Sequence, residues 1–139
     1  FGESVAIQEP KALIEALVAG NARITLGWAL GTAALPKPAV KVMLNLAHIA
    51  MDALVRGGTL DIGAELRDGT SEIVVRAAGP KIAFDPVIGR ALDGQMNAGE
   101  LTSRTAPAHM IQQLVAGMGG GLQFALTDDA LVMGAVLPG

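Results

Sequence analysis

At 139 residues the chain has the length of one domain and can bury a proper core, removing roughly two-thirds of its unfolded surface from water. Its hydrophobic fraction is 51% and its mean hydropathy +0.47, yet Asn45, His48, Asp52 and Arg56 interrupt the most apolar stretch before about 18 apolar residues accumulate, so no membrane span is expected. A net charge of -3 lacks the basic excess that attracts nucleic acid, and the absence of cysteine excludes disulfides and thiolate zinc sites, which leaves proteins as the expected partners.

In chain order, Gln8 to Ala19 carries Ala12, Leu13, Ala16, Leu17 and Val18 at helical spacing and stops at Gly20-Asn21, which predicts a first helix with Leu13, Leu17 and Val18 as its apolar side. Ile24 to Leu30, with β-branched and aromatic residues, predicts a strand. Leu35-Pro36-Lys37-Pro38 is a stiff lead-in to a helix, because a proline in the first helical turn sacrifices only an N–H that would be unpaired anyway. That helix is expected to run to about Val55 with Val40, Met43, Leu44, Ala47, Ala50, Met51 and Leu54 facing the core. Gly57-Gly58 ends it. Thr59 to Leu66 and Glu72 to Ala78 then read as two antiparallel strands around Asp68-Gly69, a strong hairpin signal.

Further along, Phe84 to Leu92 predicts a short helix, Gly94 to Arg104 a polar connection, and Pro107 to Met118 a helix with Met110, Ile111, Leu114 and Val115 inward. Leu122 to Leu126 and Leu131 to Leu137 form a second hairpin around Thr127-Asp128-Asp129. This order predicts an α+β fold, a two-layer sandwich in which helices cover one face of a mixed sheet.

Few residues carry chemistry. The two histidines, His48 and His109, are the only candidates for histidine chemistry. His48 shares a polar helix stripe with Lys41, Asn45 and Asp52, which lies either against a pocket or in water. That neighbourhood supplies at most one histidine and one carboxylate, too few for a metal site, and no metal is expected. His109 sits in a first helical turn, with a surface role. Ser4, Ser71 and Ser103 leave a serine triad open by counting, but no GxSxG elbow supports one. Asp128-Asp129 read as turn residues, and Gly119 to Gly121 as a helix end rather than a phosphate cradle, since they follow a helix instead of preceding one.

The segment MLNLAHIAMDALVRGGTLDI resembles the asparagine helix and following Gly-Gly strand of histidine-kinase-type ATPases, which implies a Bergerat-type architecture. Asn45 fits the first asparagine of that motif. The family's magnesium-ligating asparagine falls on Ile49, which has no oxygen for a hard cation. VVRAAGPKI resembles the Asp-x-Gly-x-Gly box, but Ala77 stands at the adenine-reading aspartate and Lys81 at the second glycine. The glycine-rich lid is replaced by ELTSRT, Glu100 to Thr105. One lost charge-assisted hydrogen bond costs about 1.5 to 3 kcal/mol, or roughly tenfold to a hundredfold in affinity. The resemblance therefore implies a degenerate ATPase fold with no nucleotide cofactor.

A closer resemblance spans nearly the whole chain. FGES, then LPKPAVKVMLNLAHIAMDALVRGGTLDI, VVRAAGPKI and TAPAHMIQQLVAGMGGG are similar, in that order, to segments of the ChpT-like histidine phosphotransferases of alphaproteobacteria. It implies that residues 1–7 are the end of an N-terminal helical hairpin that dimerises and carries the phosphorylated histidine, and that 8–139 form the ATPase-like domain. Neither His48 nor His109 matches the phosphoacceptor, which is expected upstream of Phe1; a start at phenylalanine fits a processed product or a fragment.

The implied activity of the intact protein is phosphoryl relay from the receiver domain of a hybrid histidine kinase to response regulators such as the CtrA-type cell-cycle regulator. In this reading the domain docks the receiver, the compartment is cytoplasmic, and Lys41, Asn45, His48 and Asp52 are the candidate partner-binding residues. The alternatives are an active histidine-kinase-type ATPase and a non-catalytic interaction domain.

Overall fold

The computed structural model describes residues 4–95 and 98–138. Its main sheet has five strands in the order β2-β4-β5-β7-β6: β2 (Ile24–Leu30), β4 (Gly58–Arg67), β5 (Thr70–Ala78), β6 (Gly121–Leu126) and β7 (Ala130–Leu137). β2 runs parallel to β4 and every other pairing is antiparallel, so the sheet is mixed as expected. The parallel pair follows from the helix that separates its strands, while tight turns make β4–β5 and β6–β7 antiparallel. At the first of these turns Arg67 pairs with Thr70, and Asp68 and Gly69 both take positive φ, 50° and 77°, the two-residue geometry that suits strand twist.

Among the described residues, four α-helices lie on one face of the sheet: α1 (Gln8–Ala19), α2 (Lys37–Ala53), α3 (Pro86–Leu92) and α4 (Ala106–Gly117). α2 is central and packs on β4, β5 and β7, with α1 toward β2 and α3 and α4 toward β6. Pro36, extended at φ -57° and ψ 148°, delivers the chain into α2. The helix buries Ala39, Val40, Val42, Met43, Leu46, Ala47, Ala50 and Ala53, a wider face than the predicted stripe, and leaves Leu44 and Met51 only partly covered. Its alanines let the helix approach the sheet, where Leu60, Ile62, Ile73, Val75, Leu131 and Met133 complete the core. Full burial of each large side chain contributes about 1.5 to 3 kcal/mol.

The sheet needs the Gly57-Gly58 turn after α2. Gly58 has φ 137°, and a Cβ there would run into the carbonyl oxygen of Ala78 on β5. The close approach keeps the helix end tied to the sheet.

Several expectations need correction. α1 buries Pro10, Ile14 and Val18, whereas Leu13 and Leu17 are 58% and 46% exposed. The buried stripe is set one residue later because the helix meets the core through Ile14. Met110 of α4 is likewise exposed, and Ala108, Ile111 and Val115 form its buried face. α3 begins at Pro86 rather than Phe84, since Asp85 stays extended and caps the helix by accepting from Val87 N–H at 2.9 Å. A small second sheet was also missed, β1 (Ser4–Ala6) paired antiparallel with β3 (Ala34–Pro36). Of the FGES segment only Ser4 lies within the described residues, and it is the first residue of β1. Residues 96 and 97 of the polar connection also lie outside the described residues.

Candidate functional site

A cavity of about 290 Å³ opens between α2, α3 and the start of α4. α2 contributes Asn45, His48, Ile49 and Asp52, which come to one side because offsets of three and four residues share a helix face. Of the four candidate residues on the polar stripe, Lys41 is the one outside the cavity. It is exposed one turn earlier, and its carbonyl accepts the Asn45 side-chain N–H at 2.8 Å.

The opposite wall consists of Ala83, Phe84 and Asp85 from the segment before α3, Ile88 of α3, and Arg104 and Pro107 at the entry to α4. Ala83 N–H donates to the carbonyl of Ala53 at 2.9 Å, which ties this wall to the end of α2. Phe84 packs on Phe124 of β6 with ring centroids 5.2 Å apart, so its position is fixed from beneath. Val55, just beyond α2, closes the remaining side and is 51% exposed. None of these wall residues is legible from spacing, because they meet only through tertiary packing. The Asp85-Pro86 pair is the exception, a cap followed by a first-turn proline.

At the mouth, Glu100 to Thr105, the segment that the resemblance sets in place of a kinase lid, is tied down. Thr105 is 3% exposed, and its hydroxyl donates to the Glu100 carbonyl at 2.8 Å and accepts from Thr102 N–H at 2.9 Å. Arg90 of α3 forms an ion pair with Glu100, and that hydrogen bond raises the guanidinium pKa above its ordinary value. Arg104 is held more loosely, 4.0 Å from Asp85 with its side chain 73% exposed. A 3-10 turn at Ala98–Glu100 leads into this segment.

Ile49, Ala77 and Lys81, the positions that resemble the nucleotide-reading sites of histidine-kinase ATPases, carry no oxygen in their side chains. Ile49 lines the cavity with carbon alone. Ala77 is fully buried in β5, paired with Leu60 on one side and Leu131 on the other, and Lys81 is exposed outside the cavity lining. Among the described residues no group of three or more histidine, aspartate or glutamate side chains converges as a metal site would. His48 is exposed on the cavity rim and His109 lies half-buried in the first turn of α4. Ser71 is buried in β5, Asp128 and Asp129 occupy the β6–β7 turn, and Gly119 ends α4 with φ 76°. No described helix is long and apolar enough to cross a membrane.

Comparison with known proteins identifies the family and the fold. The family model described as the histidine phosphotransferase C-terminal domain matches residues 7–130. A bacterial phosphotransferase solved at 1.7 Å superposes with a TM-score of 0.82 at 20% identity, over 95% of this chain and 64% of that one. The chain thus spans less than two-thirds of the length of that phosphotransferase. The nucleotide-free catalytic domain of histidine kinase ThkA gives a TM-score of 0.69 at 14% identity, covering 98% and 94% of the two chains. The mycobacterial sensor histidine kinase MprB gives 0.67 at 19% identity, covering 100% and 98%. At these identities the superpositions show the fold, that of a histidine-kinase ATPase domain. No protein in the curated set matches significantly.

Proposed function

The chain belongs to the histidine phosphotransferase C-terminal domain family, and from that premise we propose that it docks receiver domains within a phosphorelay. The intact protein takes a phosphoryl group from the receiver aspartate of a hybrid histidine kinase onto a histidine and hands it to response regulators. The acyl phosphate bond breaks as the phosphoramidate forms, and the reverse exchange loads the next receiver. The acceptor histidine belongs to an N-terminal hairpin upstream of Phe1, through which the protein dimerises in the cytoplasm. This domain supplies position rather than bond chemistry, holding the receiver so that its aspartate meets the histidine in line.

The observation that carries the reading is a family match over residues 7–130, supported by a cavity lined by the all-carbon side chain of Ile49 and by an alanine at position 77 buried in β5 outside that cavity. An active ATPase is the second reading, favoured by the superposition on the kinase catalytic domains. The two differ in what the domain does for transfer. In the intact phosphotransferase, deleting residues 8–139 should raise the receiver concentration needed for half-maximal transfer without adding any dependence on ATP. Transfer unchanged by the deletion would reject the docking role and leave only the hairpin at work.

A further inference from the structure

We infer that the cavity beside α2 receives one apolar side chain of the receiver, carried next to a lysine or arginine; this deepens the docking role proposed above and rests on it. The space is about 290 Å³, at the lower limit of ligand pockets, which run from roughly 300 to 1,000 Å³. It suits one or two side chains. Ile49, Phe84, Ile88 and Pro107 give it an apolar lining, and Val55 stands 51% exposed beside them, left uncovered by the described residues. A large apolar residue entering such a recess removes both surfaces from water, the pattern of a binding hot spot.

Charge selects the neighbour of that residue. Asp52 lies on the rim and takes part in no ion pair among the described residues. Asp85 faces the exposed Arg104 at 4.0 Å and feels the charge of Arg90, which is already paired with Glu100. Asp52, Asp85 and Glu100 outnumber Arg90 and Arg104 around the cavity, a balance that repels a chain of phosphates and attracts a cation. A receiver lysine or arginine beside the apolar anchor meets Asp52 directly. The walls are already in place, because Thr105, Glu100 and Arg90 fasten the mouth, so little ordering opposes binding.

The test is a fluorescence-anisotropy titration of the full chain against the labelled receiver domain of a CtrA-type response regulator, at low and high salt. Asp52→Lys should weaken binding roughly tenfold and reduce its salt dependence. Val55→Glu should abolish measurable binding. Both positions are exposed, so thermal melts of the two variants should match the wild type. Exchanging the receiver's contacting lysine or arginine for glutamate should restore affinity for the Asp52→Lys chain alone. Wild-type affinity in both variants would overturn the cavity assignment and leave the docking role standing. A wild-type chain that binds no receiver at any concentration would overturn both.

Discussion

Ala77→Asp restores the residue type that kinase ATPase domains use to read adenine, and it should damage this protein rather than revive it. Ala77 has 0% exposure and sits in β5 with Leu60 and Leu131, themselves fully buried, as its strand partners. None of these neighbours offers a donor side chain. A carboxylate there is desolvated without a counter-charge, a defect that costs about 3 to 5 kcal/mol in comparable buried sites. The sign with pH follows from burial, which raises the folded-state pKa of the new aspartate above its unfolded value near 3.9. Stability relative to the wild type is therefore best below pH about 4 and is lost as pH rises through the folded pKa. Urea melts at pH 7 and at pH 4 read both the loss and its recovery, and nucleotide titration of the same variant reads any gain. A loss under about 1 kcal/mol at pH 7, or new ATP affinity, would show that Ala77 borders a working nucleotide pocket.

Two further substitutions probe how the cavity is held. Asp85→Ala removes the cap of α3 and should cost about 1 kcal/mol in urea melts, with faster amide exchange at Val87, whose N–H the Asp85 carboxylate accepts. Gly58→Ala places a methyl group against the Ala78 carbonyl at φ 137° and should destabilise the chain by more than about 1 kcal/mol, whereas Gly69→Ala, with nothing near its Cβ, should cost only the positive-φ penalty. Equal losses in the two glycine variants would contradict the close approach of Gly58 at the start of β4 to Ala78 of β5.

The order and type of the main elements were legible because their signals are local. Pro38, Gly57-Gly58 and Asp68-Gly69 punctuate the chain where the backbone needs them, and β2 and α1 begin and end at the predicted residues. β1 and β3 were not legible, since three-residue strands hold too little alternation to stand out. Which face of α1 turns inward was misread because Leu13 and Leu17 are more apolar by type than Pro10, yet the neighbouring layer decides burial. One wall of the candidate site was visible for the same reason as the helices: Asn45, His48 and Asp52 share one face of α2 by spacing alone. Phe84, Ile88, Arg104 and Pro107 reach the cavity through contacts between elements far apart in sequence, and no local pattern records them.

Calorimetric titration of the chain with ATP and magnesium tests the account at its centre. With carbon at Ile49, a buried alanine at position 77 and the mouth fastened by Thr105 and Glu100, no saturable heat is expected up to millimolar nucleotide, a binding free energy weaker than about 4 kcal/mol. A micromolar dissociation constant that depends on magnesium would contradict it.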